Sequence, residues 1–147
     1  MAIPFTYHAK AQSTFKPPLI ANENAFLGDI ESRYIDPGRS GTSLISTSDK
    51  RNPDKPMSAG FYRLEKGTPL VYEYTYDEMK IILEGEFEIA DETGQKVTAK
   101  PGDVFYFPKG AKITFTTPSY GLAFYVSLTF FHRRGGHQSR GEGRANW

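Results

Sequence analysis

Residues 67–110 read GTPLVYEYTYDEMKIILEGEFEIADETGQKVTAKPGDVFYFPKG, and their punctuation decides the fold. Turn residues close each short run: Lys66-Gly67, Glu84-Gly85, Glu92-Thr93-Gly94, Lys100-Pro101-Gly102-Asp103 and Pro108-Lys109-Gly110. Glycine suits such places because it takes left-handed backbone freely, and proline because its φ is pre-set. Between the turns, Leu70 to Tyr76 predicts a strand, and Met79 to Ala90 predicts a strand pair broken at Glu84-Gly85. Gln95 to Ala99 and Val104 to Phe107 predict two more. Working outward, Gly60 to Glu65 precedes this stretch, while Lys112 to Thr116 and Leu122 to Phe131 follow it. Short strands at regular spacing with turns between them indicate a sandwich or barrel.

Composition agrees. Nine Tyr and eleven Phe in 147 residues favour pleated, half-buried surfaces, hence an all-β fold in a single domain. A net charge of +1 gives no electrostatic signature of a nucleic-acid binder. With no cysteine, disulfides, thiolate catalysis and cysteine-zinc sites are excluded. The first residues, MAIPFTYHAKAQSTF, have no long apolar core, so a secretory signal is not expected. No window approaches the roughly 18 apolar residues of a membrane span. The expectation is a soluble, cytoplasmic protein without membrane or nucleic-acid partners.

Residues 1–56 are rich in turn chemistry, with Pro17-Pro18, Asp36-Pro37-Gly38, Ser40-Gly41 and the run Ser46 to Pro56. Leu19-Ile20, Ala25-Phe26-Leu27 and Ser43 to Ile45 are candidates for short strands or a single helical turn. This segment reads as an N-terminal arm on the barrel or on a partner subunit, since such a strand is easily exchanged. A homodimer is expected, through this arm or a sheet edge. The barrel itself is assigned to 57–132. Residues 133–147, with four arginines and several glycines, read as a basic, disordered, solvated tail.

The order Gly67, Tyr72-x-Tyr74, Glu78, Gly85, then Gly102-Asp103 and Pro108-x-Gly110, resembles the two motifs of the cupin superfamily. Those motifs hold a glycine, a His-x-His pair, a glutamate and a closing glycine, then a glycine, a proline-x-glycine turn and a third histidine. Glu78 stands seven before Gly85, at the glutamate's place. Tyr72 and Tyr74 occupy the His-x-His places, and Ile113 the third histidine's. The stretch from Met57 to Val126 is most similar to the cupins related to ethanolamine-utilisation protein Q. The resemblance implies a cupin jelly-roll β-barrel, with Tyr72 and Tyr74 facing its interior. For function it implies little, since cupins include dioxygenases, isomerases, lyases, decarboxylases and non-catalytic binders.

On that orientation, alternation also turns Glu78, Lys80 and Ile82 inward, and Met79, Ile81 and Leu83 outward. Tyr76 shares the inner face unless the turn at Asp77 rotates it away. A transition-metal site needs three or more nitrogen or carboxylate ligands, and His8, His132 and His137 lie outside both motifs. No metal or other cofactor is expected. Glu78 and Lys80 then form the pair of interest, either as a simple ion pair at the barrel mouth or as acid-base groups with tuned proton affinities. The tyrosines are either core or a polar-tipped pocket. Arg63 reaches a substrate carboxylate if its strand turns it, rather than Tyr62, inward. Tyr106, Ile113, Phe115 and Tyr125 are candidate walls, with Ile82. Asp77 and Asp103 read as turn residues.

The leading expectation is a metal-independent enzyme, a lyase, isomerase or cyclase, acting on a small, partly aromatic or polyketide-like molecule. Glu78 would be the base, Lys80 would stabilise charge, and Tyr72, Tyr74 or Tyr76 would donate a proton. The alternative is a non-catalytic cupin that captures a metabolite. A third reading, kinase-like chemistry in acetate metabolism, comes from the resemblance alone. No glycine-rich phosphate loop supports it, and Gly135-Gly136 leads only into the basic tail.

Overall fold

The computed structural model describes residue 2 and residues 4–31 and 57–128. The candidate strand at Ser43 to Ile45, the turns from Asp36 to Pro56 and the basic tail lie outside the described residues. Among the described residues, a single helical turn, α1 (Ala11–Thr14), is followed by ten strands. They are β1 (Leu19–Ala21), β2 (Ala25–Glu31), β3 (Met57–Glu65), β4 (Leu70–Glu73), β5 (Asp77–Gly85), β6 (Phe87–Asp91), β7 (Lys96–Ala99), β8 (Val104–Phe107), β9 (Lys112–Thr116) and β10 (Tyr120–Leu128).

They form a six-stranded sheet, β1-β2-β3-β10-β5-β8, and a four-stranded sheet, β4-β9-β6-β7. Every pairing is antiparallel. From β4 onward the chain passes repeatedly between the two sheets, which is jelly-roll winding. Among the described residues no ladder joins the sheets edge to edge, so the barrel is an open sandwich. Its core takes Tyr62, Leu64, Ile82, Ala123 and Tyr125 from one sheet and Leu70, Tyr72, Phe87, Ile89 and Phe115 from the other.

The arm strand β2 pairs with β3 of the same chain. Strand β3 begins at Met57, three residues before the expected start, and the reason is local. Ser58-Ala59-Gly60 looks like turn chemistry, yet its small side chains let β2 lie close. A Cβ at Gly60 would stand 2.0 Å from the Gly28 carbonyl oxygen and 2.7 Å from the Tyr125 hydroxyl. Strand β4 ends at Glu73, not Tyr76, because residues 74–76 carry the chain across to the larger sheet.

Gly85 makes the opposite crossing, with φ of 68° and an added Cβ placed 2.0 Å from the Tyr120 carbonyl oxygen. Gly94, at the β6–β7 turn, has φ of 95° but open space around it. The two substitutions should therefore separate. Gly94→Ala should cost about 1 kcal/mol through backbone strain, and Gly85→Ala about 3 kcal/mol through strain plus clash. Urea denaturation of both variants checks this, and equal losses would contradict the crossing geometry.

Candidate active site

The candidate site grows from one unbroken alternation. From Leu70 to Ile82 every even-numbered residue is buried and every odd one exposed. The pattern survives the passage from β4 to β5. The crossing is pinned to the turn before β9 by Tyr74 N donating to the Ala111 carbonyl (2.8 Å) and Gly110 N donating to the Tyr74 carbonyl (2.7 Å). Held in that phase, Tyr72, Tyr74, Tyr76, Glu78 and Lys80 all project between the sheets. The expected inward turn of Tyr76 is met, and the turn at Asp77 does not rotate it away.

Glu78 and Lys80 are 2% and 4% exposed and form an ion pair through Glu78 Oε1. This places the pair within the core and not at a barrel mouth, correcting that part of the sequence reading. Lys80 Nζ also donates to Tyr74 Oη at 3.1 Å, and Tyr74 Oη donates to Glu78 Oε1 at 3.1 Å. The three groups close a triangle. Alongside it Tyr72 Oη donates to Tyr76 Oη at 2.9 Å. Tyr74 stacks on Phe107 at 5.1 Å between centroids and meets Tyr72 edge-on at 4.7 Å. Tyr125, opposite Lys80 in the ladder, sends its hydroxyl to Asp29 Oδ1 on the arm strand at 2.5 Å.

Tyr62 stands apart. It is fully buried, stacked on Phe87, and its hydroxyl has no hydrogen-bond partner among the described residues. Burial first, and the Glu78 charge second, push its phenol well above the usual tyrosine range. The same two causes, in the same order, raise Tyr74. Both phenols are therefore neutral at ordinary pH. The free space bounded by Leu27, Tyr62, Tyr72, Tyr74, Tyr76, Glu78 and Lys80, with Leu70 and Phe115, is about 10 Å³. That accommodates about one water.

Several expected site residues lie elsewhere. Register along β3 turns Tyr62 inward and Arg63 outward, where the guanidinium bonds Glu65 Oε1 (Nε at 3.2 Å) and covers the Tyr120 ring. Arg63 is thus not a substrate contact inside the sandwich. Tyr106 is 58% exposed because Phe105 and Phe107 take the inward parity of β8, and its hydroxyl donates to Asp77. It is not a wall residue. Asp77 does not serve its own turn but accepts from Lys109 N at 2.9 Å, tying β5 to the β8–β9 turn, whereas Asp103 bonds its own turn at Lys100 N. Ile82, Ile113, Phe115 and Tyr125 are all buried in the core. Sequence reasoning missed Phe107, Leu27 and Ser127. Ser127 lies opposite Glu78 on β10, and the alternation Ala123, Tyr125, Ser127 was the signal for it.

The cupin pattern implies a metal, and the residues here do not fit one. The third histidine's place is a packed isoleucine, Ile113. The one carboxylate, Glu78, is bound by Lys80 and Tyr74, and Tyr74 is kept protonated. His8 is exposed. Among the described residues no three His, Cys, Asp or Glu gather to hold an ion, and no helix is long and apolar enough to cross a membrane.

Comparison with known proteins places the chain in a family. The model of the family described as ethanolamine utilisation protein EutQ matches residues 36–130. The protein named acetate kinase EutQ from Escherichia coli K12 is 41% identical over 86 residues, covering 58% of this chain and 34% of that protein. Its namesake from Clostridioides difficile strain 630 is 31% identical over 98 residues, covering 66% and 61%. The chain thus spans only a third to three fifths of those relatives. The solved structure of the Clostridium difficile EutQ protein superposes with a TM-score of 0.52 at 24% identity, over 71% of this chain and 68% of that one. At that identity the likeness speaks for the fold.

The buried pair makes two predictions. Lys80→Met and Glu78→Gln should each destabilise by about 3–5 kcal/mol, with the double variant losing less than either. Strictly additive losses in a denaturation cycle would show that the pair is not coupled. Tyr62 and Tyr74 are raised above 10.0 in the fold, so they stabilise it fully below that pH. As pH climbs past it the unfolded chain ionises first and stability falls. Ultraviolet titration should find at least two phenols that ionise only with alkaline unfolding.

Proposed function

The chain belongs to the ethanolamine utilisation protein EutQ family of cupins, without the cupin metal-binding histidines, and we propose that it is an enzyme that moves a proton on a small organic molecule without a metal ion. The observation that carries this reading is the buried triangle of Glu78, Lys80 and Tyr74 beside the partnerless hydroxyl of Tyr62. A carboxylate enclosed between the sheets is a candidate base for an acidic C–H once a substrate has displaced the groups bound to it. The proton passes from carbon to Glu78, and the electron pair of the C–H bond moves onto the adjacent carbonyl oxygen. The neutral Tyr62 hydroxyl is available to donate to that oxygen, while the Lys80 charge stabilises it through space. The outcome is an isomerase, lyase or cyclase step, depending on what leaves or closes from the enolate.

Size limits the substrate. Room for about one water admits no organic molecule as it stands, so binding requires lining side chains to move. That same fullness favours a second reading, in which the buried network is purely structural and the protein is not a catalyst, any captured metabolite being held without turnover and only after the lining moves. The name acetate kinase belongs to longer relatives, and no phosphate-cradling loop in this sequence supports transferring it.

Deuterium exchange tests the reading without knowledge of the substrate. The protein is incubated in D2O with an enolisable 1,3-diketone, an aryl methyl ketone and a 2-oxo acid, followed by proton NMR. Wild type should accelerate wash-in for at least one compound, and Glu78→Gln should lose roughly 100-fold or more. Equal exchange by Glu78→Gln would remove Glu78 as the base. Thermal stabilisation by these compounds with no exchange would favour the capturing protein.

A further inference from the structure

We infer that the interior of this sandwich is a binding site for a primary ammonium group, which the chain fills with its own Lys80. The enclosure is the first ground. Lys80 Nζ lies between 5.3 and 5.6 Å from the centroids of five rings: Tyr62, Tyr74, Phe107, Phe115 and Tyr125. These rings come from both sheets and from the crossing between them, and the charge lies over each of them. Rings at that distance attract a cation, most strongly where water is excluded. A lysine needing only an ion-pair partner would be satisfied by Glu78 with any apolar wall around its methylenes.

The second ground is which groups the ammonium meets. Its oxygen partners include Glu78 Oε1 and Tyr74 Oη. These are two of the positions from which the cupin pattern draws metal ligands, and here both turn to the lysine. The donor set therefore fails for a metal for a specific reason: a tethered monocation already takes its place. The charge at the centre of the site is fixed by the sequence and is independent of ion supply. This goes beyond the proton-transfer reading and does not rest on it.

Chemical rescue tests the site on folding alone, without any substrate. Lys80→Ala removes the ammonium and its stem, leaving the rings, Glu78 and Tyr74. Thermal unfolding is followed in increasing ethylammonium chloride, against sodium chloride at matched ionic strength, tetramethylammonium chloride, and zinc or manganese chloride. A saturable rise in midpoint on the order of 5 °C is expected with ethylammonium. It should be absent with sodium and tetramethylammonium, absent in wild type, and lost in Lys80→Ala/Glu78→Gln. No difference between ethylammonium and sodium would overturn the inference, as would a response to zinc or manganese but not to ethylammonium. Should Lys80→Ala fail to fold in dilute buffer, its refolding yield in the same salts gives the same comparison. Because no turnover is measured, failure here leaves the Glu78 reading intact, and failure of deuterium exchange leaves this one intact.

Discussion

A carboxylate and an ammonium sit together inside a sandwich built mostly of rings and aliphatic side chains, and the rest of the structure accommodates them. Removing two charges from water costs several kcal/mol per ion, which only close pairing and added hydrogen bonds offset. Glu78 and Lys80 meet that condition by sharing Oε1, with Tyr74 bridging both. The bridge in turn requires Tyr74 to face inward from the crossing, where the backbone of Gly110 and Ala111 holds it. Phe107 then stacks beneath it and fixes the inward parity of β8. One buried pair thus constrains the phase of three segments that are distant in sequence.

Much of this was legible in the sequence. The glycine and proline punctuation located β5 to β9, and Val104–Phe107 and Lys112–Thr116 match their expected bounds. Strand parity grouped Tyr72 with Tyr74 and Glu78 with Lys80, the cupin resemblance turned them inward, and Tyr76 stayed conditional on the turn at Asp77. What was not legible has physical causes. In GFYRLE and VFYF large side chains stand at both parities, so alternation alone could not choose between Tyr62 and Arg63 or between Tyr106 and Phe107. Neighbouring strands decide those cases. Gly60 and Gly121 act through contacts with Gly28 and Phe87 far along the chain, and local reading does not see such contacts. The depth of the ion pair was missed for a related reason: Leu27 lines the same space from an arm strand whose place in the sheet rests on pairing with β3.

The cupin frame and the chemistry it holds are separable in this chain. The turn glycines, the crossing strands and the glutamate all remain, which is what family resemblance detects. Where the cupin pattern has imidazole nitrogens this chain has phenol oxygens, and the Tyr74 phenol, raised by burial, does not ligate as an anion. A conserved scaffold with an exchanged interior is the general case in which fold is a poor guide to activity. The side chains between the sheets must carry the argument instead.

The crossing at residues 74–76 also restricts how this chain can change in length. Because inward and outward positions keep one phase from Leu70 to Ile82 with no slack between the sheets, a single-residue insertion or deletion there would invert one half. Either Leu70 and Tyr72 or Glu78 and Lys80 would turn to solvent, and Val71 and Glu73 or Met79 and Ile81 would enter the core in their place. The turn at Gly94 faces open space and joins strands whose ends are free to lengthen. Variation in length among natural and engineered versions should therefore collect at that hairpin, while the three-residue bridge stays fixed in count even where its residues vary.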